Sequence, residues 1–281
     1  MQKIALVTDS SCDLDQETIA RYRIKVIPLT VILGDKEYRD GIDITVGQVN
    51  ARIVNEPGRT ATPAPRLIKE TFDRLVEDGY THIIAVHFAS ALSATYRLID
   101  ATAKEIKGAV IEVIDSKLIS GLLGLLVRQT ARWIEAKLEF QEIIMRIKTS
   151  IPKIKGFFVL KTLTYLKRGG RIGLVSAALG NVLDIKPVIT FSEQGSIYTY
   201  AKARGWERSI NRLYEVANDL LDKGKGSIAV MYADALEEAN HLADRIRALP
   251  NAFEVLVRPI SPTLVVHTGP GLLGVAYYQE D

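Results

Sequence analysis

Residues 4–22, IALVTDSSCDLDQETIARY, decide the fold, because an apolar run passes through a polar turn into a helical pattern. Residues 4–7 are short and apolar, as in a buried strand. Residues 14–22 have helical spacing, and Asp13 with Gln16 resembles a capping box. A strand followed directly by a helix is the repeating unit of parallel α/β architecture.

The same unit recurs along the first half of the chain. Gly34 and Asp35 predict a hairpin between strands 24–33 and 36–39. The remaining predictions are helices at 45–54, 63–77, 92–106 and 118–137, a polar loop at 55–62, and strands at 81–88 and 109–114. This alternation predicts an α/β fold in which the first sheet is mostly parallel.

Pro152 marks a boundary, because proline disfavours helix in the residue before it. We therefore expect two α/β domains, residues 1–151 and 152–281. The second domain is predicted to contain strands at 156–161, 185–191, 196–202, 227–232 and 253–258, and helices near 175–181 and at 207–221 and 235–249.

Composition excludes several classes of protein. The 281 residues are 47% hydrophobic and 25% charged, as in a folded globular chain, and the net charge of +3 comes from scattered basic residues. A nucleic-acid partner is therefore not expected. The single Cys12 permits no internal disulfide, and the four histidines show no zinc spacing, so no metal is expected. Without a signal-peptide core or a membrane-length apolar run, the sequence predicts a cytoplasmic protein.

Hydroxyl side chains gather at two predicted strand-to-helix junctions. Thr62 precedes Pro63, which favours the first helical position, so Thr62 is the expected N-cap, and a cap alone would also explain it. Ser90, Ser93 and Thr95 crowd the start of the helix that follows strand 81–88. Helix N-termini attract anions, so the two junctions predict a site for a carboxylate or a phosphate without a metal.

Three further positions qualify this prediction. Asp9, in the turn after the first strand, would repel an anion, so we expect it to organise the turn. His267 lies at a predicted strand-to-turn junction, either as a structural residue or in contact with a ligand. The cationic residues around Gly169 and Gly170 suit either an exposed helix end or contact with a phosphate or an acidic partner.

A serine hydrolase is the main rival hypothesis. Ser93 lacks the G-x-S-x-G elbow, and spacing selects neither His87 nor His267 as its base. Cys12 is a weaker candidate for the nucleophile, because a free cysteine is most often a small buried side chain. The glycine-rich segments match neither nucleotide-binding fingerprint, so no nucleotide or other cofactor is expected.

Taken together, seven segments resemble the DegV family of bacterial fatty-acid-binding proteins, which includes the acyl-binding subunits of fatty-acid kinase. The resemblance covers essentially the whole chain. The segments are Thr8-Asp9-Ser10-Ser11, Thr60-Ala61-Thr62-Pro63, Leu92-Ser93-Ala94-Thr95-Tyr96, Ile114-Asp115-Ser116, Leu166-Lys167-Arg168-Gly169-Gly170-Arg171-Ile172, Asp184-Ile185-Lys186-Pro187 and His267-Thr268-Gly269-Pro270-Gly271.

The resemblance implies two α/β domains with a tunnel between them for one long-chain fatty acid such as palmitate. It implies a binding protein that is not itself an enzyme and that presents the carboxylate to a separate fatty-acid kinase. The resemblance implies that hydroxyl side chains of two segments bind the carboxylate, namely Thr60, Thr62, Ser93 and Thr95. It also implies that His267 and Arg171 assist at the carboxylate, and that Lys202 and Arg204 contact the kinase.

The chain departs from the family pattern at three places. Ala61 and Thr62 stand where the family usually has Ser and Gln, and Ala94 stands where it usually has Gly. The leading hypothesis is a fatty-acid carrier. The alternatives are a serine-dependent lipid hydrolase or acyltransferase that uses Ser93, and a regulatory protein that senses the lipid.

Overall fold

The computed structural model describes residues 2–173, 175 and 185–280. The strands are β1 Ile4–Asp9, β2 Lys25–Ile27, β3 Thr30–Leu33, β4 Lys36–Arg39, β5 Gly58–Ala61, β6 His82–His87, β7 Val110–Asp115, β8 Lys155–Leu160, β9 Ile185–Phe191, β10 Ile197–Arg204, β11 Gly226–Ala233, β12 Ala252–Pro259 and β13 Leu272–Gln279. The helices are α1 Gln16–Tyr22, α2 Val46–Ile53, α3 Pro65–Glu77, α4 Thr95–Ala103, α5 Gly121–Glu135, α6 Phe140–Ser150, α7 Thr164–Arg168, α8 Trp206–Leu221, α9 Leu236–Arg247 and α10 Pro262–Thr268.

The first half forms the expected parallel sheet, in the order β2-β1-β6-β7. Two predictions here were wrong. The strand predicted at 24–33 is two strands, β2 and β3, which belong to different sheets, with Pro28 and Leu29 between them. The loop predicted at 55–62 contains β5, which pairs with β3 and makes a small antiparallel sheet with the β3–β4 hairpin.

Asp13 does not cap α1, contrary to the sequence prediction. Asp15 is the N-cap, and its carboxylate accepts hydrogen bonds from the backbone and the hydroxyl of Thr18. Asp13 instead has left-handed backbone geometry, and its carboxylate accepts hydrogen bonds from the Ser120 hydroxyl and the Ser261 backbone. It therefore joins the start of the chain to the N-terminus of α10.

The second half forms a six-stranded sheet in the order β10-β9-β8-β13-β11-β12. Its strands were predicted except for β13, which lies inside the sheet between β8 and β11 and runs antiparallel to both. Residues 151–153 form a short 3-10 helix between α6 and β8. The helix predicted near 175–181 lies largely outside the described residues, as does Asp184.

Helix α5 packs closely on the six-stranded sheet because its first residue, Gly121, has no side chain. A Cβ at Gly121 would collide with Met231 and approach Ala229 within 3.2 Å. Gly124 faces the backbone oxygen of Cys12, where a Cβ would also collide. The two glycines of this helix therefore permit close packing.

One hydrophobic cluster runs through both halves of the chain, from Leu6 in β1 to Tyr278 in β13. Cys12 belongs to it as a buried free thiol, as expected, and burial raises the pKa of this thiol far above its ordinary value. Among the described residues, no helix combines the length and the apolar character needed to cross a membrane.

Candidate functional site

An apolar cavity of about 310 Å³ lies between the two halves of the chain. This volume falls at the lower end of the range for small-molecule sites. Both halves contribute side chains and most of them are apolar. The lining residues are Leu29, Thr60, Ala61, Thr62, Phe88, Leu92, Ser93, Ala94, Ile119, Ser120, Leu122, Phe157, Phe158, Leu166, Arg171, Phe191, Ile197, Met231, Ile260, Thr263, Leu264, His267, Thr268, Leu272, Gly274 and Val275.

The two hydroxyl-bearing segments meet at this cavity, as the sequence predicted. Thr60 and Thr62 reach it from the end of β5, and Ser93 reaches it from the turn before α4. The segments are more than 30 positions apart in the chain. Pairing of β5 with β3, and of β6 with β1, carries them to one place.

The capping argument for Thr62 was wrong, although its place at the cavity is right. Helix α3 begins at Pro65, and Ala64 precedes it without a side-chain cap. Thr62 lies in the extended connection between β5 and α3, where its carbonyl oxygen accepts a 3.5 Å hydrogen bond from the Thr30 hydroxyl. Thr62 therefore does not cap α3.

The Ser93 hydroxyl is held at the start of α4. Its oxygen lies 3.0 Å from the Thr95 hydroxyl oxygen and accepts a 3.2 Å hydrogen bond from the Thr95 backbone N–H. Thr95 is fully buried and does not line the cavity. Thr95 therefore orients Ser93, whereas the sequence analysis had expected both hydroxyls to contact a carboxylate.

His267 lies in the last turn of α10, not at the strand-to-turn junction expected from the sequence. Its Nε2 is 2.8 Å from the Thr60 hydroxyl oxygen. Its Nδ1 is buried and has no hydrogen-bond partner among the residues that the structure describes, and it lies so close to Gly169 that a Cβ there would collide. Burial, assisted by the positive charge of Arg171, lowers the pKa of His267 to about 4, so the imidazole is neutral at neutral pH.

Arg171 connects the polar groups of the cavity. Its guanidinium donates to the carbonyl oxygen of Gly169 at 2.7 Å and to that of Leu92, next to Ser93, at 3.4 Å. Gly169 packs against His267, and the charge of Arg171 lowers the pKa of that imidazole, so Arg171 lies near both His267 and the segment that carries Ser93. The arrangement places one cation beside neutral hydrogen-bonding groups, which suits a single anionic group.

Lys202 and Arg204 lie elsewhere. Both are exposed on β10, the edge strand of the six-stranded sheet, and neither lines the cavity. They are two positions apart on one strand and therefore point to the same side of it.

The arrangement does not support Ser93 as a nucleophile. Among the described residues, the hydrogen bonds of the Ser93 hydroxyl lead only to Thr95, and His267 pairs with Thr60. His87 is fully buried and pairs with Asp9 at 2.9 Å. Asp9 also accepts from the Ser11 backbone N–H, so it organises the turn after β1 as expected.

Sequence reasoning missed the wall of the cavity that β8 and β13 provide. Phe158 lies opposite Gly274, which in turn lies opposite Met231, and all three line the cavity. A glycine inside a strand often marks a place where a ligand or another backbone comes close. Gly274, in the apolar run 272–279, could therefore have indicated this wall from the sequence.

The fold combines a parallel sheet and a mainly antiparallel sheet around an apolar cavity with a polar, cationic end, which defines an α/β protein with an internal cavity of ligand size. A family model described as "Uncharacterised protein, DegV family" matches residues 3–280, and the chain belongs to the DegV family. A DegV domain-containing protein of Clostridium perfringens is 38% identical over 280 residues, covering 100% of both chains. One from Streptomyces coelicolor is 34% identical over 97% of each chain.

Solved structures match over nearly the whole chain. A DegV family protein from Thermus thermophilus, reported for its fatty-acid binding, has a TM-score of 0.93 at 27% identity and covers 99% of this chain and 100% of its own. A stearic-acid-binding protein from Eubacterium ventriosum has a TM-score of 0.88 at 28% identity, with coverage of 99% and 98%. These likenesses confirm the α/β fold.

Proposed function

We propose that this chain binds one long-chain fatty acid in the cavity and presents its carboxylate to a separate fatty-acid kinase. The observation that carries the proposal is the cavity itself, which is apolar over most of its surface and carries Thr60, Ser93, His267 and Arg171 among its few polar groups. An acyl chain supplies apolar surface, and a carboxylate supplies the acceptor for these donors.

The apolar wall accounts for most of the expected affinity. Each methylene group removed from water contributes about 0.8 kcal/mol. This term favours occupation of the apolar cavity by a flexible hydrocarbon chain.

The polar end suits a carboxylate that has to react later. Thr60 and Ser93 offer neutral hydroxyls, and the lowered pKa of His267 keeps the imidazole uncharged. The Arg171 guanidinium is exposed and already donates to two carbonyl oxygens. A carboxylate held mainly by neutral donors remains available to a phosphoryl donor from outside. Likeness to fatty-acid-binding relatives supports the same ligand class.

The kinase role rests on the family resemblance and on the basic pair Lys202 and Arg204, which we propose as part of the docking surface. We propose that the protein acts in the cytoplasm, where ATP is available to such a partner. The division into domains 1–151 and 152–281 likewise remains a proposal, with the cavity between them.

Native mass spectrometry of protein purified without added lipid tests the ligand. We expect one intact fatty acid per chain, held non-covalently. Ser93→Ala is expected to weaken binding about tenfold, as for one hydrogen bond to a charged group, and to leave the fold intact. Thr149→Val, which removes a hydroxyl bonded within α6, is the control. A covalent acyl adduct on Ser93, or steady release of product, would favour the hydrolase instead.

A second assay tests the kinase role separately. The loaded chain, ATP and a bacterial fatty-acid kinase are combined, and acyl phosphate is measured. We expect product only when all three are present. Equal product without this chain would contradict the proposed presentation and would leave fatty-acid binding unaffected.

A further inference from the structure

Two side chains of the cavity wall also line a second, larger concavity. Leu122 and Phe191 face both the cavity and a groove of about 880 Å³ lined by the end of β7, residues 151–156 and the turn between β9 and β10. The rim of this groove carries the exposed charged residues Lys117, Lys148 and Glu193, so the groove opens to water. Leu122 and Phe191 therefore form a partition between the cavity and solvent.

Leu122 is seated directly on the backbone of β8. A Cβ at Gly156 would lie 2.6 Å from both methyl groups of Leu122, so only glycine leaves room for this side chain. The neighbouring Gly121 brings α5 equally close to β11. The position of Leu122 is thus fixed by two close contacts between α5 and the six-stranded sheet, and its side chain is only 5% exposed.

Phe191 completes the partition from the neighbouring strand. Phe157 pairs with Thr190 in the antiparallel β8–β9 ladder, and continuing that register places Phe191 beside Gly156. The Phe191 ring centroid lies 5.7 Å from that of Phe158, which lines the cavity. Phe191 and Leu122 therefore meet above the space left by Gly156.

The groove begins with an apolar floor on its side of the partition. Ile114, Leu118 and Ile154 line it and are each at most 5% exposed. Hydrocarbon that passed the partition would first cover these side chains and then reach charged groups and water. The partition thus separates an apolar enclosure from a surface that only partly shields a chain.

We propose that Leu122 and Phe191 are the end wall that sets the longest acyl chain this protein accepts. The inference rests on the proposed function, since it assigns the distal end of the same fatty-acid site. Affinity rises by about fourfold with each methylene group that the cavity buries. Once the chain reaches the wall, a further methylene group has to bend back or displace one of the two side chains. Affinity then no longer rises with chain length.

Binding of saturated fatty acids from about 12 to about 22 carbons to delipidated protein tests the wall, since affinity follows buried methylenes. In the wild type we expect affinity to rise with length to an optimum and then to fall. Leu122→Ala and Phe191→Leu are expected to move the optimum by about two or more carbons and to raise affinity for the longest acids about tenfold.

Leu264→Ala is the matched control, because Leu264 lines the cavity but not the groove. It is expected to weaken binding at every length and to leave the optimum in place. An unchanged optimum in both wall variants, or an equal shift in Leu264→Ala, would overturn the inference. Wild-type protein that binds no fatty acid of any length would instead overturn the proposed function.

A crystal structure of the wild type with its optimal acid tests the wall without any substitution, so the inference remains falsifiable should a variant not fold. We expect the terminal methyl group to contact Leu122 and Phe191. A terminal methyl elsewhere in the cavity would contradict the assignment even though the acid was bound.

Discussion

The imidazole Nε2 of His267 lies 2.8 Å from the hydroxyl oxygen of Thr60. This bond joins residues 207 positions apart and ties the last turn of α10 to strand β5. Both side chains line the apolar cavity. The bond therefore sets the geometry of the polar end at which we propose that a carboxylate binds.

Thr60→Val is expected to weaken fatty-acid binding about tenfold or more. The substitution keeps the shape of the side chain but removes one donor to the carboxylate and leaves the largely buried Nε2 of His267 unpaired. Titration calorimetry with delipidated protein measures the change, with Thr149→Val as the control. Equal affinity for wild type and Thr60→Val would place the carboxylate elsewhere.

His267 is expected to make the stability of the protein depend on pH. Burial lowers the pKa of His267 from its ordinary value of 6.5 to about 4 in the folded protein. The unfolded chain therefore binds more protons between these values, and the free energy of unfolding falls by about 2 kcal/mol from about pH 7 to about pH 4.5. Above pH 6.5 this loss is absent. Asp13 and Asp40, whose pKa values burial raises, act in the opposite direction.

Urea denaturation of wild type and His267→Gln at both pH values isolates this contribution, because the two aspartates are common to both proteins. We expect the wild type to lose about 2 kcal/mol more than the variant on acidification. The same pH dependence in both proteins would show that His267 titrates normally.

A bound fatty acid is expected to stabilise the protein through its carboxylate as well as its chain. At a ligand concentration about 100 times the Kd, binding adds about 2.7 kcal/mol. For a chain of this size that raises the Tm by about 5 °C. Thermal unfolding of delipidated protein with the acid is compared with the fatty alcohol of equal length. Equal shifts would mean that the polar end does not distinguish a carboxylate.

The double substitution Lys202→Glu with Arg204→Glu is expected to reduce acyl-phosphate formation by a partner kinase without changing fatty-acid affinity. Both residues are exposed on β10 and neither lines the cavity, so reversal of their charge should weaken docking alone. The assay varies the concentration of the carrier, and Lys223→Glu, exposed after α8, is the control. An equal loss of acyl-phosphate formation in the double variant and in Lys223→Glu would contradict a specific role for Lys202 and Arg204.

The architecture was largely predictable from hydrophobic patterning. Alternating strands and helices predicted the parallel sheet, and Pro152 predicted a break near the 3-10 helix at Ile151–Lys153. The pattern missed β5, because Gly58–Ala61 is a short polar segment that becomes a strand only by pairing with β3. Such pairing depends on residues distant in sequence and leaves little local signal.

The sequence predicted which segments form the candidate site better than it predicted the role of each residue. The preference of proline for the first helical position predicted that Pro63 opens a helix. Pro65, two residues later, takes that position, and Thr62 lies in the connection before it. Thr95 was expected to touch the ligand, but it orients Ser93. Nothing in the sequence indicates that Phe191 forms part of the partition, because its position beside Gly156 depends on the register between β8 and β9.

The most direct test of the central claim is a crystal structure of the protein purified without added lipid. The account predicts one continuous hydrocarbon chain in the cavity, with carboxylate oxygens within about 3 Å of the Thr60 and Ser93 hydroxyl oxygens. A cavity that holds only water, or a fatty acid whose carboxylate lies away from both hydroxyls, would contradict it.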